Sequence, residues 1–240
     1  MLPPVARKCH AAYLEADQSV PASEEMNAIT ADLFSEAAGS EPVRLDLSGA
    51  DIVLYPEFFL RREADILLAT LLTNVSWKQE KIRFYGKQHE IPRLIAWYGE
   101  SGKTYAYSGI RVKAEPWLPE LLAVKRRIEE VGAVVFNSVL LNLYRDGSDG
   151  VAWHSDDEPE LGSEPVIASV SLGQGRKFQF KHKRDPSLKY DIVLPHGSLL
   201  VMRGATQSNW VHKIPKSAKP MGQRINLTYR VIRRRIPGVM

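Results

Sequence analysis

Residues 224–232 read R-I-N-L-T-Y-R-V-I, and their alternation is the most informative pattern in the chain. In an extended segment, residues two apart share a face. Arg224, Asn226, Thr228 and Arg230 therefore project one way, and Ile225, Leu227, Tyr229 and Val231 the other. An ordinary half-buried strand alternates too, with its polar face turned to water. Two arginines separated by Asn and Thr are also the set a dicarboxylate requires. Guanidinium groups take carboxylates in bidentate fashion, and a buried anion needs such pairing.

Working back along the chain, other short β-rich runs are KIRFYG (81–86), PRLIAWYG (92–99), TYAYSGI (104–110), FNSVLLNLY (136–144), VIASVSL (166–172), KFQFKH (177–182), YDIVLP (190–195) and SLLVMRG (198–204). Turn residues punctuate them, as in DGSDG, GQG and PHG. Within FNSVLLNLY, Asn142 and Tyr144 share a face with Leu140, while Val139, Leu141 and Leu143 face the other way. Polar groups in so apolar a strand either carry a cost or meet a partner.

Two helices precede most of these runs. Pro56 opens a stretch in which Phe59, Ala64, Leu67, Leu68, Leu71 and Leu72 recur at helical spacing. A second helix is expected from about Pro116 to Val131, with Leu118, Leu121, Leu122 and Ile128 as its stripe and Gly132 ending it. The pattern predicts a mainly β, α+β protein, its core a double-stranded β-helix (jelly roll) braced by helices on one side. Residues 1–50 are expected to be an acidic, loosely ordered leader, and residues 51–240 one domain.

The composition, 44% hydrophobic and 25% charged, is that of a globular domain. No run of about 18 apolar residues exists, so no membrane association is expected. The opening residues lack the pattern of a secretory signal, and Cys9 is the only cysteine. A reducing compartment is expected: cytoplasm in a bacterium, nucleus or cytoplasm in a eukaryote. Nothing requires more than a monomer. The net charge of +4 hides an asymmetry, since residues 1–65 carry 5 basic and 12 acidic residues and the remainder 27 and 16. A basic body of this kind suits a polyanion.

The segment WHSDDE (153–158) places His154 and Asp156 on one face of an extended chain, with Asp157 pointing away. Two histidines and a carboxylate form the facial set of non-haem iron(II) oxygenases. The second histidine must come from another strand, and His182, His196 and His212 are all available. His182 lies among lysines, His196 sits in a turn, and His212 follows Trp210 near the last strand.

Taken together, these segments resemble the AlkB family of nucleic-acid dealkylating dioxygenases. N-x-Y-R-D-G at Asn142–Gly147, H-S-D-D-E at His154–Glu158 and R-x-N-x-T-x-R at Arg224–Arg230 stand in the family's order. So do I-A-S-V-S-L-G at Ile167–Gly173, H-G-S-L-L-V-M at His196–Met202 and P-R-L-I-A-W-Y-G-E at Pro92–Glu100. The resemblance spans about residue 51 to residue 232.

It implies His212 as the third metal ligand beside His154 and Asp156. It further implies a 2-oxoglutarate site formed by Asn142, Tyr144, Arg224, Asn226 and Arg230 and supported by Thr228. Arg224 would meet the distal carboxylate, and Arg230 would lie near the end that chelates iron. The implied cofactors are Fe(II), 2-oxoglutarate and O2. The implied reaction is oxidative N-demethylation of alkylated DNA, single- or double-stranded, or of RNA, releasing succinate, carbon dioxide and formaldehyde.

On the substrate side, Tyr107 resembles one stacking wall, with Tyr105 on the same face and His154 opposite. Glu158 matches a base-contacting carboxylate. Residues 78–113 resemble a lid with Phe84 or Tyr85 at its tip and Arg93 near the flipped nucleotide. That stretch holds 8 basic and 3 acidic residues, with aromatics including Trp97 interleaved, a mixture suited to backbone neutralisation and stacking. The competing expectations are a 2-oxoglutarate-dependent hydroxylase of a protein or small molecule, and a catalytically silent nucleic-acid-binding module. The intact ligand set and both arginines argue against the latter.

Overall fold

Short strands joined by tight turns pair most simply as antiparallel neighbours. The computed structural model, which describes residues 40–84, 87–100, 104–107 and 110–233, bears this out for every pair of named strands. In chain order the first half contains β1 (Val43–Arg44), β2 (Asp51–Tyr55), helix α1 (Arg61–Asn74), β3 (Lys81–Phe84), β4 (Lys87–Glu90), β5 (Leu94–Gly99), β6 (Thr104–Tyr107), β7 (Ile110–Lys113) and helix α2 (Pro119–Gly132). The second half contains β8 (Ser138–Tyr144), β9 (Val151–His154), β10 (Ile167–Gly173), β11 (Arg176–His182), β12 (Lys189–Leu194), β13 (Ser198–Arg203), the short helix α3 (Thr206–Asn209), β14 (Trp210–Ile214) and β15 (Arg224–Arg230).

Two sheets carry the architecture. The major sheet has the order β1-β2-β13-β10-β15-β8-β5, and the minor sheet β12-β11-β14-β9. The crossovers between them are those of a double-stranded β-helix, as the strand pattern predicts. The strands β3–β4 and β6–β7 form two separate two-stranded pairs within the expected lid. The hydrophobic core lies between the sheets, where Ile52, Leu54, Ile167, Leu200 and Met202 of the major sheet share one cluster with Phe178, Phe180, Trp210 and Ile214 of the minor one. Each such buried side chain contributes about 1.5–3 kcal/mol.

All seven residues of β15 are buried, because the strand runs between β10 and β8 with structure on both faces. Its apolar face meets the helical layer. The Tyr229 hydroxyl donates to the Leu121 carbonyl of α2 at 2.8 Å, and Trp117 stacks on the Tyr229 ring. Its polar face looks inward, so the alternation separates two buried environments rather than core from water.

Arg127 of α2 joins the two helices through Glu63 of α1 at 3.1 Å and the Phe58 carbonyl at 2.6 Å, with its guanidinium over the Phe58 and Phe59 rings. Both helices begin later than their apolar spacing implies. The Phe59 N–H donates to the Gly197 carbonyl, and the Leu60 N–H is capped by the Glu63 carboxylate at 2.7 Å, so α1 starts only at Arg61. Gly197 has φ +78°, and a Cβ there would collide with the Phe59 carbonyl oxygen, so this contact requires glycine. In α2 the first-turn proline is Pro119, not Pro116. Its last residue is Gly132, but the left-handed cap is Ala133, with φ 52°.

The expected boundary at residue 50 falls inside folded structure. Val43–Arg44 pairs with β2, and Leu45 and Leu47 are buried in the core cluster. Residues 1–39 of the expected leader lie outside the described residues. No described helix is long and apolar enough to cross a membrane.

Candidate active site

The polar faces of β8 and β15 and the inner face of the minor sheet enclose one cavity of about 450 Å³, including its open mouth. Every residue that the sequence assigns to metal or cosubstrate lines it: His154, Asp156 and His212, with Asn142, Tyr144, Arg224, Asn226, Thr228 and Arg230.

The two histidines are a cross-strand pair. His154 ends β9 and His212 sits opposite on β14, with ring centroids 4.3 Å apart. An irregularity in the ladder between His212 and Ile214 re-aims this stretch of strand, as bulges beside functional sites do. His154 Nδ1 lies 2.9 Å from the Ala152 carbonyl oxygen. A carbonyl can only accept, so Nδ1 carries the proton and Nε2 keeps its lone pair. Phe178 stacks on His212 at 5.1 Å. Burial, with His154 alongside, pushes the His212 imidazole down to about 3, so at neutral pH it is an uncharged donor. Burial also lowers His154, against the pull of Asp156.

Asp156 follows β9 and is almost fully buried. Burial pushes its carboxyl up, but Arg230 and the two histidines outweigh that, and it lies below the ordinary carboxylate range. Its oxygen Oδ1 accepts from Arg230 Nη2 at 2.7 Å, and its backbone N–H donates to Gln207 Oε1 at 2.9 Å. Among the described residues no three His, Cys, Asp or Glu side chains are already drawn into a closed chelating cluster. What the cavity holds is the right donor set in the right charge state, with Asp156 turned onto Arg230. Of the alternative histidines, His196 accepts from the Gly173 N–H at 2.7 Å and faces Asp65, while His182 accepts from the Asp185 N–H. Neither lines the cavity.

The cosubstrate residues form a buried network. Arg93 Nε donates to Asn142 Oδ1 at 2.7 Å, and Asn226 Nδ2 donates to Ser169 Oγ at 2.8 Å. Thr228 Oγ1 donates to Asn226 Oδ1 at 2.8 Å. Arg224 differs from the rest. It is 1% exposed and stands 5.1 Å over the Tyr144 ring, with its Nη2 donating to Ser171 Oγ at 2.9 Å and the Tyr144 side chain as a further partner. Among the described residues its Nε and Nη1 have no hydrogen-bond partner, and burial lowers its pKa. A buried cation whose Nε and Nη1 are unpaired is suited to binding an anion.

The expected substrate residues are distributed differently. Arg93 lines the cavity but is bonded to Asn142 and the Gly150 carbonyl, so it belongs first to the cosubstrate side. Trp97, 2% exposed in the core cluster, is an interior residue of edge strand β5 and not an exposed platform; this corrects its assignment to the substrate surface. Glu158 is half-buried at the start of the 3-10 turn Pro159–Leu161. Tyr105 and Tyr107 pair with Val112 and Ile110 along β6 and β7, and Phe84 ends β3. The side chains of these three, and Tyr85 altogether, lie outside the described residues.

Several residues in or behind the cavity wall escape the sequence reading, of which Ser169 lines the cavity itself. Ser169 and Ser171 were signalled by the alternation in IASVSLG. Gln207, which holds the Asp156 backbone, and Arg176, which donates to the carbonyls of Asp146, Asp149 and Pro215, carry no local signal.

Comparison with known proteins agrees with this geometry. Residues 51–230 match the model of the 2OG-Fe(II) oxygenase superfamily. Over 190 residues the chain is 46% identical to alpha-ketoglutarate-dependent dioxygenase alkB homolog 3 of Mus musculus, covering 75% of this chain and 66% of that one. It is 38% identical over 188 residues to DNA oxidative demethylase ALKBH2 of Homo sapiens, covering 74% and 72%. The chain thus spans just under two thirds of the length of the alkB homolog 3 relatives it matches. Among solved structures, that of OsALKBH1 aligns with a TM-score of 0.58 at 17% identity over 80% of this chain and 100% of that one, a likeness of fold alone. Superfamily model, relatives and architecture converge: the chain belongs to the AlkB family of 2OG-Fe(II) oxygenases.

Proposed function

We propose that the chain is an iron(II)- and 2-oxoglutarate-dependent dioxygenase that removes N-methyl groups from DNA bases of the 1-methyladenine and 3-methylcytosine type, with RNA as a second substrate, acting as a monomer. The observation that carries this reading is the Arg224 guanidinium, buried with two idle N–H groups in the cavity that His154, Asp156 and His212 also line. A buried guanidinium suits a carboxylate, and two histidines with a carboxylate suit a divalent metal, so the two halves of one cavity fit 2-oxoglutarate and iron. The name DNA oxidative demethylase, carried by relatives at 38–39% identity, supports DNA as the substrate class.

His154, Asp156 and His212 would hold the iron, and Arg224 the distal carboxylate of 2-oxoglutarate. Bound together, iron(II), 2-oxoglutarate and dioxygen supply oxidative decarboxylation to succinate and carbon dioxide and hydroxylation of the N-methyl carbon, which then leaves as formaldehyde. The protein's part is positioning. Tyr144 lies under Arg224, Asn142 and Asn226 line the cosubstrate wall, and Arg230 orients the Asp156 carboxylate. Phe178 and Met202 keep the cavity floor apolar.

The test is succinate and formaldehyde release from a 1-methyladenine oligonucleotide supplied with iron(II) and 2-oxoglutarate. Stoichiometric release, abolished in His154→Ala, is expected. Turnover of 2-oxoglutarate that responds only to a protein or small molecule would overturn the nucleic-acid assignment. No turnover at all, with retained oligonucleotide binding, would leave a silent binding module.

A further inference from the structure

On the minor sheet, alternate side chains point away from the cavity. Register fixes which they are: Lys177, Gln179 and Lys181 on β11 stand beside Val193, Asp191 and Lys189 on β12, and Val211 and Lys213 on β14 beside Lys181 and Gln179. This face carries four lysines and a single carboxylate. That carboxylate, Asp191, accepts from Lys177 at 3.1 Å and from Gln179 at 2.9 Å.

Lys181 and Lys213 are arranged otherwise. Both ammonium groups stand over the ring of Trp153, at 4.7 and 4.6 Å from its centroid, and among the described residues neither forms an ion pair with a carboxylate. Trp153 immediately precedes His154, so this cluster lies on the back of the strand that delivers a cavity histidine. An indole face attracts one cation by about 0.5–1 kcal/mol at an exposed site, but two ammonium groups drawn to one ring repel each other. What relieves that repulsion is a shared anion.

We propose that Trp153, Lys181 and Lys213 form a docking point for the phosphodiester backbone of the nucleic-acid strand whose modified base enters the cavity. Charge complementarity selects this occupant. The face has a clear excess of lysine, its one carboxylate is engaged, and the body of the protein carries 27 basic against 16 acidic residues. Trp153 acts as the rigid post that gathers both ammonium groups about one ring, within reach of a passing phosphate backbone. The inference rests on the nucleic-acid reading of the cavity and extends it to a surface that holds the strand away from the reacting base.

The experiment compares the full chain with a Lys181→Ala/Lys213→Ala double variant, both residues being outside the cavity. Binding of an unmodified single strand of about twenty nucleotides, long enough to leave the cavity, is followed by fluorescence anisotropy across a salt series. Loss of two phosphate contacts should weaken binding about tenfold and reduce the slope of log affinity against log salt by about 1.4. The KM for a methylated strand of that length should rise in step, while turnover of a methylated trinucleotide should not change. A Lys181→Arg/Lys213→Arg variant should restore affinity, which a merely structural role would not require. Unchanged affinity and slope in the alanine variant, or a wild-type chain that binds no strand, overturns the proposal. If the wild type binds through these lysines but demethylates nothing, the docking surface stands and the dealkylation reading falls.

Discussion

Arg230 donates from Nη2 to Asp156 Oδ1 at 2.7 Å, and both side chains are almost fully buried, at 3% and 2% exposure. The strand that reads the cosubstrate is thereby tied to the carboxylate that would hold the metal. Breaking a buried pair from one side leaves an uncompensated charge, which costs about 3–5 kcal/mol. Arg230→Ala should lose that much in chemical denaturation, and Arg230→Lys less.

The same pair sets an acid limb. The folded pKa of Asp156 lies below its unfolded value, so its contribution is present above about pH 4 and is lost as pH falls through the folded value. In Arg230→Ala the largest influence opposing burial is gone, so the Asp156 carboxyl rises towards or above its ordinary value. Relative to wild type, that variant should lose stability as pH rises past 4. Parallel stability–pH curves for the two proteins would show that Arg230 does not control Asp156.

His212 governs a different window. Its folded pKa of about 3 lies far below the ordinary imidazole value of 6.5, so between these the unfolded chain binds the extra proton. Stability from this group is complete above pH 6.5 and declines as the pH falls towards 3, by a total on the order of 5 kcal/mol. Metal-free protein should therefore weaken steadily below neutrality, and His212→Gln should flatten that slope. An unchanged slope would mean that His212 is readily protonated in place.

Arg224 predicts an inverse pattern. Removing a cation whose Nε and Nη1 are idle relieves a burial penalty, so Arg224→Met should leave the melting temperature without cosubstrate equal to or above wild type. The same change should weaken 2-oxoglutarate binding about 100-fold, the scale of a lost buried charge pair. Stabilisation of the wild type by added 2-oxoglutarate, absent in the variant, gives a thermal readout. A destabilised variant that still binds 2-oxoglutarate would refute the role.

The contrast between Arg224 and Trp97 shows what the sequence could convey. Period-two alternation identified β15 and both its arginines because the pattern is local and each residue's face follows from its neighbours. It could not show that both faces are buried, since that depends on α2 arriving over Tyr229 from more than a hundred residues away. Trp97 reads as one of the stacking aromatics for the same reason: charge density along 78–113 is local, whereas burial of β5 against β8 is tertiary. The three downstream histidines were indistinguishable by spacing, and cross-strand register with His154 is what separates His212 from the others. Gln207 and Arg176 act across chain distances at which no periodic signal exists.

The end of α2 offers a last test, on stability alone. Gly132 looks like the stop signal, yet the left-handed position belongs to Ala133, with φ 52°. A Cβ in that conformation costs roughly 1–2 kcal/mol. Glycine removes the strain but adds freedom to the unfolded chain, worth about 0.4–1 kcal/mol in the other direction. The strain term is larger, so Ala133→Gly should stabilise the fold by about 0.5–1 kcal/mol. The cap's N–H to Glu129 carbonyl bond should survive, since it involves backbone only. Ala133 does not line the cavity, so turnover should be unchanged while the denaturation midpoint rises. A lower midpoint would mean that the Ala133 methyl contributes packing that outweighs its strain.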